Sequence, residues 1–581
     1  LIGTNLFLAR FLEKNSWNKS SGRRCRRQPS FQQKSGFQIL FFILKSGGKA
    51  AILSIQKLMA KTPSDKLHRL IRSLTPQEKR YFRLWVGSKT EGASKYLQLF
   101  EATAAMVRFD EEALKRKIYN NQPPEGKKYS ELKAYLYDLV LKSLQSFDEK
   151  QSVEYRLNHL LHSVAALYKR GHYDDCGDLL HKAAKLARQY ESFTHLLEVI
   201  RWEKQLAYTR MDADFLHKKL EQLHFEEDRA LTQLRNAADY RKAFFQVYAT
   251  IKREAQQRGF DRMERLQSLV NQEFFEDPDR AESHKARVMY YRTLNLYHYA
   301  ALEYEQFYET GKKLIALLES QPHFLRENLS DYIAALSNLI LSCGLLQRYD
   351  EVRVCLEKLR GLTPITADDR RKIHRQYFAN KFALCSFTGE FEEAKAEMEN
   401  CLREATDFDS HDYETASFYF QFCTICFGCG DFDGALRYLN EWLNQPRSVE
   451  REDLQSLARI LSLIIHFEMG NTVLLDSLLR SATRFLQKKN RLHDLERRFM
   501  HFMSELVKQP SQREQQAVFQ KMKIDLQELA LLPSAKAVLQ TFDLEAWLDA
   551  KMSGRTFATT VKEKWSREIS KSGASAAVRG V

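Results

Sequence analysis

Gly430-Asp431-Phe432-Asp433-Gly434-Ala435-Leu436, with Leu439 and Trp442 behind it, is the clearest copy of a phrase that recurs through the second half of the chain. A turn residue is followed two places on by an aromatic or polar residue, three further by a typically small residue, and then by apolar residues at helical spacing. The other copies are Glu305-Gln306-Phe307 with Thr310 and Leu314, Gln347-Arg348-Tyr349 with Val352 and Leu356, Gly389-Glu390-Phe391 with Ala394 and Met398, and a weaker Gly470-Asn471-Thr472 with Leu475 and Leu479. Arg170-Gly171-His172-Tyr173, with Cys176, Leu180 and Ala183, reads as an earlier copy, and Arg258-Gly259-Phe260 as a degenerate one. A period of about 41 residues means stacked helical hairpins, each with an apolar face that only its neighbours can cover. The predicted fold is therefore all-α, a right-handed α-solenoid preceded by a small helical module.

Composition agrees with this. Only 22 Gly and 11 Pro punctuate 581 residues, too few for a chain of strands and turns. The net charge of +15 is unevenly placed: residues 1–58 hold 11 basic residues against one acidic, residues 59–150 hold 18 against 12, and the remainder is left at about −1. If the chain has a nucleic-acid-binding stripe, this charge distribution places it in the first quarter rather than along the repeats; a nucleic-acid partner is not the favoured expectation. Nine cysteines over this length make no disulfide scaffold; several sit in apolar helical runs and read as reduced, buried thiols of a cytoplasmic protein. No segment offers the roughly 20 apolar residues of a membrane helix.

Four regions follow. Residues 1–58, with Arg23-Arg24-Cys25-Arg26-Arg27 and the apolar run Phe37 to Leu44, read as a basic leader, disordered or translated upstream of the natural start, with folding from Met59. Residues 59–150 form a helical module in which Thr75-Pro76-Gln77-Glu78 is a capping box with proline at the first helical position. Further helices are predicted near 93–107, 110–119 and 128–147. Residues 151–550 carry the repeats, and 551–581, small and polar, read as a disordered tail.

The phrase from Gly430 to Leu436, preceded by Tyr419, Phe422 and Cys423, resembles the turn and packing positions of tetratricopeptide repeats. The likeness covers 290–485 well and 151–290 poorly, and the repeats are longer than that family's 34 residues. Ser73 to Phe82 resembles the opening of an uncharacterised bacterial family of helical-repeat proteins, which implies no activity. The tetratricopeptide resemblance implies a non-enzymatic scaffold that binds a peptide or partner helix on the first helices of its hairpins.

Candidate chemistry is sparse. Cys423, Cys426 and Cys429 have a metal-like spacing, yet they fall on a packing face of the first helix of the best repeat, which favours burial over zinc or an iron-sulfur cluster. Asp407, Asp409, His411, Asp412 and Glu414 read as a helix-capping, solvated loop rather than a cation site. Tyr290, Tyr291, Tyr297, Tyr299, Tyr304 and Tyr308 read chiefly as inter-helix packing. No phosphate loop, nucleophile elbow or paired-carboxylate motif is present, so no catalytic residue, cofactor or metal is assigned. One polar pattern stands out. Asn295, Asn338, Asn380 and Gln421 recur near the repeat period, and an amide ladder there would bond the backbone of an extended peptide with donors and acceptors alike. The alternative function is a transcriptional or signalling regulator, in which helices 110–119 and 128–147 dock on DNA through Lys127, Lys128, Ser130 and Lys133.

Overall fold

The computed structural model describes residues 64–87, 95–106, 109–120, 122, 127–148, 152–211, 213–254, 261–406, 408, 415–444, 454–488, 494–509, 511–529, 539 and 541–578, without the side chains of 215–216, 252–254, 261–262, 415–416, 472, 512 and 568–578. The basic leader and most of the acidic loop 407–414 lie outside these residues. Everything regular in them is helical, and they divide into two compact units that part between Tyr155 and Arg156.

The first unit holds α1 (Lys66–Ser73), α2 (Pro76–Gly87), α3 (Lys95–Ala104), α4 (Glu111–Ile118) and α5 (Lys128–Asp148). The capping box forms as the sequence predicts: Glu78 N–H donates to Thr75 Oγ1 at 3.2 Å, and Thr75 N–H to Glu78 Oε2 at 2.6 Å. Asp110 caps α4 by accepting from the Glu112 and Ala113 amides. Ile71, Phe82, Leu99, Phe100, Leu136 and Val140 are buried at the centre, with Phe82 stacked on Phe100.

Helix α6 (Val153–Tyr168) leads into the second unit, which continues with α7 (Tyr173–Gln189), α8 (Phe193–Thr209) and the long α9 (Ala213–Glu254), then α10 (Asp261–Val270) and α11 (His284–Ala301). From there helices alternate with short turns: α12 (Tyr304–Glu319), the six-residue α13 (Pro322–Glu327), α14 (Leu329–Leu345), α15 (Tyr349–Arg360), α16 (Ala367–Thr388), α17 (Phe391–Ala405), α18 (Tyr419–Gly428) and α19 (Phe432–Leu443). The chain ends in α20 (Leu454–Glu468), α21 (Thr472–Lys488), α22 (Asp494–Lys508), α23 (Gln512–Leu529), α24 (Leu544–Ser553) and α25 (Phe557–Val578). Each helix packs on the next, and α14 with α16, α16 with α18 and α20 with α22 also pack on each other. One apolar core runs through the unit from Val288 to Leu548.

The recurring phrase has a single physical cause. Leu302, Gln347, Gly389, Gly430 and Gly470 all lie in the left-handed region, and in each case the next N–H bonds back to a carbonyl five residues earlier: Glu303 to His298, Arg348 to Cys343, Glu390 to Cys385, Asp431 to Cys426, Asn471 to His466. This closes the helix and satisfies its orphan carbonyls. Gly171 ends α6 in the same way, His172 N–H bonding to Leu167 O. The first copy needs a correction. Its turn is at Leu302 and α12 starts at Tyr304, three residues before the Phe307 that the sequence pattern aligns; the extra residues before the next turn include α13.

The expected disordered tail is also corrected. Residues 557–578 are helical, and α25 packs across the turn between α16 and α17, where Val561 is buried against Phe391 and Ala546. Lys564 bonds Asp543 and Glu545 at 3.0 Å, and those carboxylates hold its ammonium well above the usual lysine range against the cost of burial. Phe427, Phe542 and Phe557 stack into the same seam, and Trp547 Nε1 donates to Glu468 Oε1 at 2.7 Å.

Candidate binding groove

The amides are placed differently from the ladder the sequence suggests. Asn338, Asn380 and Gln421 each lie nine residues before a left-handed turn residue, whereas Asn295 lies seven before Leu302. On a helix two residues are a rotation of about 200°, so Asn295 stands on a different side of its helix from the other three. It is 1% exposed, donates to Phe307 O at 2.9 Å and accepts from Asn338 Nδ2 at 3.1 Å. Asn380, 2% exposed, donates to Gln376 O within its own helix, and Gln421 donates to Ala379 O on the neighbouring helix. These bonds satisfy amides inside the helix layers. Among the four only Asn338 lines an open groove, and its Oδ1 has no partner among the described residues.

That groove, of about 630 Å³, lies chiefly between α9, α11, α14 and α16. Helix phase explains its walls. Arg241, Phe244, Phe245 and Tyr248 of α9 stand at i, i+3, i+4 and i+7, and so do Asp331, Ala334, Ala335 and Asn338 of α14. Asp368, Arg371, Lys372, Arg375 and Gln376 of α16 follow the same rule, and α11 adds Met289, Arg292 and Leu296. Five cations meet two carboxylates, a formal excess of three positive charges in one patch.

Both carboxylates are already engaged. Asp331 takes Arg292 at 2.7 Å and Asn328 Nδ2 at 2.7 Å; Asp368 takes Lys372 at 2.5 Å and Arg371 at 3.6 Å. The Arg292 guanidinium lies 4.7 Å from the centroid of the Phe244 ring, a cation–π contact. Arg241 is exposed and meets no carboxylate among the described residues. Phe245 is 58% exposed. Gln376 is 8% exposed and its Oε1 is buried without a hydrogen-bond partner. A second cavity, of about 550 Å³ between α7, α8 and α9, is charge-balanced: Arg188 and Arg229 face Glu191 and Glu226, and the Arg188–Glu226 pair closes at 2.5 Å.

The cysteines fill core positions. Cys423 and Cys426 are buried on α18 and Cys429 is half-buried at its end; burial pushes the Cys426 thiol up to about 11 and Cys429 up to about 12, and holds Cys423 well above the usual thiol range. Among the described residues, the one set of three ligand-type atoms within 4.8 Å of one another is Cys385, Glu390 and Glu393. Its carboxylates are spoken for, Glu390 by Arg353 at 2.8 Å and Glu393 by Lys381 at 2.6 Å, and burial lifts the Cys385 thiol to about 12. Tyr290, Tyr299 and Tyr308 are buried; Tyr290 belongs to an aromatic cluster with Tyr240, Phe274 and Phe275. In the first unit, Lys133 of α5 bonds Glu111 of α4 at 3.0 Å, and Lys115 lies over the Tyr129 ring, so Lys133 is committed to holding α4 on α5.

Among the described residues no helix is long and apolar enough to cross a membrane. The chain matches no protein-family model and no curated protein.

Proposed function

We propose that the chain is a non-enzymatic protein-interaction scaffold: a right-handed α-solenoid of long, tetratricopeptide-like hairpins that receives a peptide or a partner helix in the groove between α9, α11, α14 and α16. The supporting observation is that groove itself. Beside buried residues such as Leu296 and Ala335, its lining carries cations, aromatic rings and an amide at one helix phase, and repeat arrays use such faces for binding. Arg241, Phe245 and Asn338 line it. Of the four amides, Asn338 is the one assigned to the partner; Asn295, Asn380 and Gln421 serve the layers beneath.

A photo-crosslinking amino acid at position 245 in the full chain tests this. The expected result is one protein adduct from the native cell that is absent when the same probe replaces Val473, a still more open position on α21 that is 90% exposed. Equal adduct patterns from both positions, or none from 245, would refute the groove as the binding face.

A further inference from the structure

We infer that the surface beneath α25 is a docking site for an amphipathic partner helix with Phe, Val and Lys at i, i+4 and i+7, and that α25 fills it in cis as a displaceable strap. This goes beyond the groove between α9, α11, α14 and α16 and does not depend on it.

Comparison of the repeat turns carries the argument. Tyr304, Tyr349, Phe391 and Phe432 each lie two residues after a left-handed turn residue. Tyr304, Tyr349 and Phe432 are half-buried, whereas Phe391 is 3% exposed, with Phe557 and Val561 of α25 packed against it. The turn glycines differ in the same way: a Cβ at Gly430 or Gly470 meets nothing within 4 Å, and one at Gly389 meets the α25 backbone. One turn of the array, that between α16 and α17, is thus shaped to receive a helix, and its glycine lets the helix backbone come close.

The occupant shows what the site reads. Phe557 lies among the buried rings of Phe391, Phe427 and Phe542, with centroids 5.6, 5.3 and 5.2 Å away. One turn on, Val561 is buried against Phe391 and Ala546, and a turn further Lys564 reaches Asp543 and Glu545 at 3.0 Å. Anchors at i, i+4 and i+7 are the pattern by which a groove recognises a helix.

A second observation makes the strap displaceable. Val561 is the one buried residue among 557–567, and the buried Trp565 Nε1 has no acceptor among the described residues. A donor left unpaired on docking is uncommon in a settled native contact, and undocking returns it to water. Helix α24 is held without α25: Trp547 and Lys551 both bond Glu468 at 2.7 Å, and Lys523 bonds Asp549 at 2.6 Å. Only Gly554, Arg555 and Thr556 join α24 to α25, and Gly554 takes φ +69° in open space. The strap therefore leaves without unstacking the helices it covers.

The test is fluorescence anisotropy on the full chain with a labelled peptide of residues 555–578. Lys564→Glu in the chain removes two ion pairs of the strap and leaves the three rings in place, so the peptide should bind this variant about threefold to tenfold more tightly than the wild type. Val561→Asp in the chain should tighten binding further. Phe557→Ala with Val561→Ala in the peptide should abolish it. Adding Gly389→Ala to the Lys564→Glu chain should abolish it too, and adding Gly430→Ala, at an open turn, should change nothing. Equal binding to the wild type and both strap variants, no binding to any of them, or binding unchanged by Gly389→Ala would overturn the inference. Wild-type dimers in light scattering that Val561→Asp dissolves would also overturn it, because the helix seated there would come from a second copy. Should Gly389→Ala not fold, the doubly substituted peptide decides alone. If the peptide binds as expected while crosslinking at position 245 finds no partner, the groove fails and this site stands.

Discussion

Gly389→Ala should be far more damaging than Gly430→Ala, although both glycines end a helix with nearly the same backbone, φ +79° and +74°. The left-handed conformation by itself costs an alanine about 1–2 kcal/mol at either position. The surroundings differ. A Cβ at Gly430 meets nothing within 4 Å, whereas one at Gly389 would sit 2.8 Å from Lys562 N and 3.0 Å from Ala558 O, both backbone atoms of α25. No rotamer change relieves a clash with backbone, so the helix must move. The extra cost is therefore capped by what undocking α25 forfeits, mainly buried Val561 and part of Phe557, about 3 kcal/mol. Thermal unfolding of the two variants, with hydrogen exchange over residues 557–567, reads both terms. Gly389→Ala should melt lower than Gly430→Ala and lose protection in α25. Truncation after Thr556 should remove the difference between them. Equal melting of the two full-length variants, or unchanged protection of α25 in Gly389→Ala, would refute the docking argument.

Asn295→Ala removes two hydrogen bonds of a fully buried amide, to Phe307 O and from Asn338 Nδ2, and should destabilise by about 1–3 kcal/mol, more than Asn338→Ala, which removes one bond at a half-buried position and should cost about 0.5–1.5 kcal/mol; thermal melts that rank them the other way would contradict the bonding order. Burial pushes His374 down to about 4, so the unfolded chain takes up its proton first, and stability should fall as pH drops from about 6.5 to about 4 and level off for this group below that. His374→Phe, which keeps the ring contacts with Phe378 and Phe408, should flatten that part of the melting-temperature profile; an unchanged slope would place the proton elsewhere. Gly428→Ala would put a Cβ 2.1 Å from the Phe391 ring, so it should lower the melting temperature and be partly rescued by Phe391→Leu, and a failure of rescue would mean the backbone rather than the ring is at fault.

The parts of this fold that were legible are those where one residue type has one backbone use. Glycine at 389, 430 and 470 announces a left-handed helix end, and the Thr75 to Glu78 box announces a start; both are found where the sequence places them. Leu302 takes the same left-handed turn without a glycine, so the phrase Glu305-Gln306-Phe307 falls three residues after the turn itself. That slip carries over to Asn295, which falls out of phase with Asn338, Asn380 and Gln421. The tail misled for a related reason. Its Gly, Ser and Ala content suggests disorder, and the contacts that order its first part, Val561 on Phe391 and Lys564 on Asp543, join residues that are distant in sequence. The groove left least trace. Arg371, Lys372 and Arg375 at helical spacing look the same as any solvated face until Arg241 and Phe245 of α9 are seen opposite them. Even so, a charged stripe on α16 beside an aromatic stripe on α9, both in phase, was a readable signal.

The arrangement inside the groove also constrains how tightly a partner can be held. Arg292 and Lys372 already have carboxylates at 2.7 and 2.5 Å, so a ligand carboxylate that approaches them competes with Asp331 and Asp368 and gains little. Arg241 is exposed, where a new ion pair contributes about 0.2–1 kcal/mol. Charge alone thus selects and steers a partner without holding it. Retention has to come from apolar burial against Phe244, Phe245 and Tyr248, where one well-seated aromatic or leucine side chain contributes about 1.5–3 kcal/mol. Phe245→Ala should consequently speed dissociation of a partner seated in the groove at any salt concentration, and Arg241→Glu should act mainly on the association rate of a charged partner and lose its effect at high salt. If both variants changed the same rate constant with the same salt dependence, steering and retention would not be divided between the α9 arginine and the α9 rings.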